Sequence, residues 1–380
     1  MKKLMSLIVA TAMVATIVSG CNNAPATTSP TQTTTEPTTT TERVVTVTDM
    51  SGDTVTITGE VKKIVNLWPA GTSSFFVMGA GDLIVGLAVN SPATMNSWTR
   101  LFYPDSVNIP AMGGTTPSVE DLVNLDPDLV IIHPSTAASG LAQQIRNVGI
   151  PAININFSDY ETMIQAYTIL GEVLGGEYQQ KLETWCNAVE TKLANVRNLT
   201  KNIPESERPV VFYIAGQTES LTTTMAANSI ISDWVESAGG IYAPRLISLP
   251  ATEITSEAVF SLNPDVFICA GVYQHVNQHA METTDGWKDL KAVTGNRVHK
   301  NPYGCFNWDR FGLESQMQIN YALMSIQPDI AAANGINRDS MISEIVNFYK
   351  TYTNYDLSRT QAEYMLDGLQ PNGTEEFPVQ

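Results

Sequence analysis

Apolar positions fall into three regimes along the chain. From Leu4 to Val18 they run almost unbroken, with only Ser6, Thr11 and Thr16 intervening; from Ala24 to Glu42 they nearly vanish into Thr, Pro, Ser and Gln. From Arg43 onward they recur in short, patterned bursts. Arg43-Val-Val-Thr-Val-Thr and Thr54-Val-Thr-Ile-Thr alternate on either side of Ser51-Gly52-Asp53, which predicts a β-hairpin. Four short β-branched runs, Ile64 to Leu67, Leu83 to Leu87, Leu129 to Ile132 and Ala152 to Ile155, predict strands buried on both faces. Helical spacing lies between them, so the expected class is α/β with a mainly parallel sheet.

The same supersecondary unit occurs twice. Ser118-Val-Glu-Asp-Leu-Val-Asn-Leu-Asp-Pro-Asp-Leu-Val-Ile-Ile132 aligns without gaps on Thr255-Ser-Glu-Ala-Val-Phe-Ser-Leu-Asn-Pro-Asp-Val-Phe-Ile-Cys269. Each copy predicts a helix capped by Ser118 or Thr255, stopped by Pro127 or Pro264, and followed by a buried strand. A spacing of 137 residues means two similar lobes rather than a solenoid, whose period is tens of residues. Between the copies, Ser158-Asp-Tyr-Glu161 predicts a capping box. Met163, Ala166, Tyr167, Leu170 and Val173 then share a helix face, Gly175-Gly176 interrupts, and Leu182, Trp185, Val189, Leu193 and Val196 resume the spacing. The expected architecture is an N-terminal α/β lobe (43–157), a long helical connector (158–203), a C-terminal α/β lobe (204–370) and a tail (371–380).

The first apolar run follows Lys2 and Lys3 and ends in Val18-Ser19-Gly20-Cys21, which identifies residues 1–20 as a secretory signal rather than a spanning helix. The tetrapeptide resembles the lipobox of bacterial lipoproteins. That resemblance implies cleavage before Cys21, lipidation of its sulfur and anchoring to the bacterial membrane on the extracytoplasmic side. Residues 21–42 cannot bury enough surface to offset ordering entropy, so they predict a flexible linker. Cleavage leaves 19 basic against 38 acidic residues, and this acidity excludes nucleic acid as a partner. Of the cysteines beyond Cys21, Cys186 and Cys269 lie in apolar surroundings and read as buried free thiols; with Cys305 they make an odd number, so at least one is unpaired.

Together these features resemble the substrate-binding proteins of bacterial ABC importers, and within them the group that collects iron-siderophores, haem, cobalamin and related metal compounds. The resemblance covers about Arg43 to Leu369. It is carried most specifically by Asn301-Pro-Tyr-Gly304, Trp308-Asp-Arg310, Glu314 and Gln327-Pro328, continued by Phe348-Tyr-Lys350 and Tyr352. It implies a monomer with no permanently bound cofactor and a ligand cleft between the lobes. The implied partner is a two-fold permease with its ATPase. In that family one surface carboxylate per lobe docks on the permease; the matching residues are Glu120 and Glu257, although a Glu in a first helical turn also simply favours the helix dipole.

Ligand contacts are expected from loops at the carboxyl ends of the strands. Trp68, Tyr103, Tyr273 and Trp308 offer flat faces there, or else pack in the core. Ser73 and Thr115 offer hydroxyls, or else cap helices. Arg310, with Arg100 and Arg245, would neutralise an anionic ligand, unless Arg310 pairs with Asp309 or Glu314. His275 and His279, four apart, could ligate a metal or haem, or be exposed polar residues; His133 reads as a partly buried cleft residue. The resemblance points first to a ferric siderophore or related iron complex. Met112 to Pro117 and Leu249 to Thr252 lack the aromatic that cobalamin binders place before each docking Glu. Their hydroxyl-rich neighbours suit molybdate or tungstate as the alternative. A surface sensor is a further class. An enzyme is another, but no Gly-x-Ser-x-Gly elbow, His-Glu-x-x-His or phosphate-loop pattern is present.

Overall fold

A computed structural model describes residues 42–375, apart from 90, 92–94, 134–135, 137–138, 217–219, 248–253, 271–272 and 354. The signal segment, Cys21 and most of the Thr/Pro-rich tract lie outside the described residues.

Strands β1 (Val44–Thr48) and β2 (Thr54–Thr58) form the expected antiparallel hairpin, with Val44 opposite Thr58 and Thr48 opposite Thr54. Its period-2 pattern turns Val47, Val55 and Ile57 into the core. Asp49 fixes the turn: one carboxylate oxygen accepts the N–H of Ser51 and Asp53, the other the backbone and side-chain N–H of Asn154.

Two four-stranded parallel sheets follow. The first is ordered β4 (Ile84–Leu87), β3 (Ile64–Asn66), β5 (Leu129–Ile132), β6 (Ala152–Asn154). The second is ordered β8 (Ile241–Tyr242), β7 (Val210–Ile214), β9 (Val266–Cys269), β10 (Val298–Lys300). Both read second-first-third-fourth in chain order, so the internal repeat is a repeat of topology. The alternation of side chains divides each sheet. Leu129 and Ile131 of β5, with Val211 and Tyr213 of β7 and Val266 and Ile268 of β9, enter one central cluster shared by both lobes. Val130 and Ile132 face a private core under helix Leu141–Asn147, while Phe212, Phe267 and Cys269 face another that includes Val259 and Trp287.

The repeated unit keeps its detail. Ser118 and Thr255 cap helices Val119–Leu125 and Ser256–Leu262, accepting the N–H of Asp121 and Ala258. Asp126 and Asn263 end those helices at φ 48° and 43°, a conformation that short Asx side chains tolerate. Asp128 then accepts from the N–H of Lys62 and Lys63, and Asp265 from that of Val210, tying each unit to the first strand of its own sheet.

The connector is a helical hairpin rather than a single rod. Asp159, not Ser158, caps helix Tyr160–Leu174, because the reciprocal partner is Thr162 and not Glu161. Gly175, at φ 69°, turns the chain into helix Gly176–Thr200, which packs back so that Trp185 meets Tyr167 edge-on at 4.8 Å. Beyond β10 the chain is not confined to the second lobe. Helix Arg338–Thr353 packs on helix Pro69–Val77 of the first lobe, and Phe102 stacks on Tyr349 at 4.6 Å. The Gly368–Glu375 segment binds both lobes: Leu369 O accepts from Trp98 Nε1, and Gly368 O from Gln274 Nε2. Among the described residues no helix is long and apolar enough to cross a membrane.

Candidate functional site

A cavity that draws on both lobes lies at the carboxyl ends of β3 and β4, where a doubly wound sheet leaves room for a ligand. Its volume is about 220 Å³, and its walls are Pro69, Thr72, Ser73, Phe76, Val89, Met95, Asn96 and Thr99 from the first lobe with Cys305 and Phe306 from the second half. Among the described residues apolar surface dominates these walls, the polar groups are hydroxyls, one thiol and one carboxamide, and no side chain is charged.

Asn66, the last residue of β3, builds the first wall. Fully buried, it accepts from Trp68 N–H at 3.1 Å and donates to Trp68 O and Thr72 Oγ1, both at 2.8 Å, so helix Pro69–Val77 starts in one orientation and presents Thr72 and Ser73. Asn96 builds the second. Its carboxamide oxygen caps helix Ser97–Phe102 by accepting Thr99 N–H at 2.8 Å. Its Nδ2 crosses to the other half of the chain, donating to Gly304 O at 3.0 Å and Cys305 O at 2.8 Å.

The opposite wall is the turn Tyr303–Asn307, closed by Gly304 N–H to Phe306 O at 3.0 Å. Glu314, 1% exposed, supports it from beneath by accepting the N–H of Cys305 and of Phe306, each at 2.8 Å, and the hydroxyl of Tyr349. Burial pushes the Glu314 carboxyl up to about 7 even though these three donors pull it down. A Cβ on Gly304 would lie 1.9 Å from Glu314 Oε1 and 2.2 Å from the Tyr349 hydroxyl, so only glycine admits this approach.

Of the residues singled out in the sequence, Ser73 lines the cavity. Trp68 does not: it is buried, edge-on to Phe157 at 4.7 Å and near Phe311 at 6.1 Å, an aromatic plug between the lobes. Trp308 is fully buried, so it is a core residue rather than a ligand platform. Tyr103 stacks on Phe76, which itself touches the cavity, and its hydroxyl donates to Asp82. Thr115 and Tyr273 are half-buried and outside the cavity walls. Arg310 belongs to a buried network in which Tyr213 donates to Asp309 at 2.5 Å; Tyr213 and Asp309 keep the guanidinium firmly protonated. Arg245 is spent on Glu236 at 2.5 Å, and Arg100 is exposed.

The two histidines do not form the expected pair. The ring nitrogens of buried His275 face Gly368 O and Glu375 Oε1, each at 2.9 Å, whereas His279 is exposed. The ring is thus committed to the C-terminal segment, and among the described residues no group of three His, Cys, Asp or Glu could hold a metal ion. His133 is half-buried, and burial lowers its pKa. Cys186, Cys269 and Cys305 are all free and buried. Glu120 and Glu257 occupy equivalent exposed positions in the first turns of the two repeated helices, and among the described residues neither forms an ion pair.

Asn66, inside a run expected as a strand, carried no sequence signal toward a cavity; Met95 and Asn96 lie between Asn90 and Tyr103, one of the loops at strand carboxyl ends from which ligand contacts are expected. The bonds that carry Asn96 to residues 304 and 305 span more than 200 positions.

Comparison with known proteins places these features. The periplasmic binding protein profile matches residues 65–302. An uncharacterized ABC transporter substrate-binding lipoprotein of Bacillus subtilis, YvrC, is 27% identical over 257 residues, spanning 66% of this chain and 76% of that protein. A periplasmic solute binding protein from Veillonella parvula superposes with TM-score 0.73 at 23% identity, covering 87% of this chain and 99% of that one. The molybdate periplasmic binding protein MolA of Haemophilus influenzae, solved with molybdate bound, superposes with TM-score 0.68 at 16% identity, covering 83% and 99%.

Proposed function

The chain belongs to the periplasmic binding protein family, whose members bind solutes for ABC transporters and are not enzymes. From that premise we propose that it captures a metal-containing solute between its lobes and delivers it to an ABC importer permease, tethered to the membrane by lipidated Cys21. The observation that carries this reading is the cavity at the carboxyl ends of the strands, walled by residues 69–99 on one side and 305–306 on the other. A ferric siderophore or related iron chelate is the first ligand, in keeping with the ending from Asn301 to Pro328. A second reading, an oxyanion such as molybdate, is favoured by the cavity itself: about 220 Å³ lies below the ~300–1,000 Å³ usual for drug-sized ligands, and Thr72, Ser73 and Thr99 bring three hydroxyls to its walls.

A thermal-shift panel of ferric siderophores, haem, cobalamin, molybdate and tungstate on residues 43–380 separates the readings. A ligand at about 100 times its Kd adds about 2.7 kcal/mol, which raises the melting point by a few degrees. A shift with a ferric chelate alone selects iron import, and a shift with molybdate or tungstate alone selects the oxyanion.

Delivery rests on Glu120 and Glu257. Two equivalent exposed carboxylates, one per lobe, suit a two-fold permease with basic pockets. The Glu120→Ala/Glu257→Ala double variant is expected to keep its ligand-induced melting shift and to lose uptake in cells. Unimpaired uptake would remove the docking role.

A further inference from the structure

We propose that Glu314 is a positioning residue for the solute cavity: its ionised carboxylate holds the turn carrying Cys305 and Phe306, so that this wall tightens as the group loses its proton and slackens as it gains one. The consequence for solute binding rests on the cavity being the solute site, but the anchoring stands on geometry alone.

The turn is pinned from two sides. Toward the first lobe, its carbonyls at 304 and 305 accept from Asn96 Nδ2. Toward the interior, its amides at 305 and 306 donate to the two oxygens of Glu314. The Tyr349 hydroxyl adds a third donor, so the carboxyl meets donors on both oxygens. An ionised carboxylate accepts all three, through charge-assisted bonds roughly twice as strong as neutral ones; a protonated one gives its O–H to the Tyr349 hydroxyl, which then accepts, and holds the two amides only through weaker neutral bonds.

Among the described residues the groups facing this carboxyl include no cation. They are Tyr349 from helix Arg338–Thr353, Cys305 from the turn itself and Tyr167 from helix Tyr160–Leu174, all neutral near pH 7. The carboxylate is therefore stabilised by dipoles alone, opposed by burial, and this balance places its titration at about 7. The close approach at Gly304 leaves no slack in the contact.

The test is amide hydrogen exchange of the full chain, read on peptides covering residues 303–308 between pH 6 and 8.5 and corrected for the chemical exchange rate; no ligand is added. Protection of the Cys305 and Phe306 amides is expected to rise about tenfold across this range in the wild type. In Glu314→Gln it should be low and flat. A flat wild-type profile, or a Glu314→Gln profile that follows the wild type, would overturn the proposal. If Glu314→Gln does not fold, the wild-type profile decides alone. A protonated-carboxyl infrared band that disappears near pH 7 is the expected companion; a band absent throughout would also overturn it. Because neither readout involves a solute, failure here is distinct from failure of the transport reading.

Discussion

Glu314 binds its proton more tightly in the folded chain than in the unfolded one, because burial removes water from the charged form. The folded group titrates at about 7 against an ordinary 4.5, so between those values the native state carries the extra proton. Its contribution is complete below about pH 4.5 and is lost as pH rises through about 7. Two to three pH units of separation correspond to about 3 kcal/mol. Urea denaturation at pH 5 and pH 8 should show the wild type losing about that much more stability than Glu314→Gln over the interval; parallel behaviour of the two would contradict the assignment. Local and global effects run in opposite directions here: ionisation strengthens the hold on the turn while costing desolvation. Residue roles were the least legible part of the sequence. Trp68 and Trp308 at loop positions read alike whether they face a cleft or a core, and the deciding neighbours, Phe157 and Phe311 around Trp68, come from distant segments. Arg310 and His275 had chemistry suited to a ligand, but Gly368 and Glu375 take that of His275, and Arg310 lies in a buried network with Tyr213 and Asp309, its Nε without a hydrogen-bond partner among the described residues.

At the scale of elements the sequence was far more readable, because strands buried on both faces and capped helices leave local marks. β5 spans the residues expected of it, and β3, β4 and β6 differ by one residue at an end. The repeated unit makes a paired prediction. Ser118→Ala and Thr255→Ala remove equivalent cap bonds from equivalent seven-residue helices, so each should cost about 1 kcal/mol, and the two should add. Denaturant midpoints with an unchanged m-value would measure this. A cost at one site only would mean that the repeat is one of sequence rather than of energetics. The connector shows the limit of such reading: Asp159 and Thr162 form the box because their side chains reach each other's backbone, and a one-residue choice among Ser158, Asp159 and their partners is settled by geometry rather than by residue type.

For the whole molecule, the central question is whether the lobes are separate bodies. The inner faces of both sheets enter one apolar cluster, with Ile64 and Leu129 at one end and Val211 and Ile268 at the other. The helical hairpin, helix Ser315–Ile326 and helix Arg338–Thr353 complete that cluster, and Trp98 and Gln274 are joined through adjacent carbonyls of the C-terminal segment. Relative motion is the default for lobes that meet over a small polar interface, and a large hydrophobic one removes it. Residues 43–380 should therefore unfold in one calorimetric transition whose van't Hoff and calorimetric enthalpies agree. Two resolved transitions would show that the lobes are energetically independent despite the shared core.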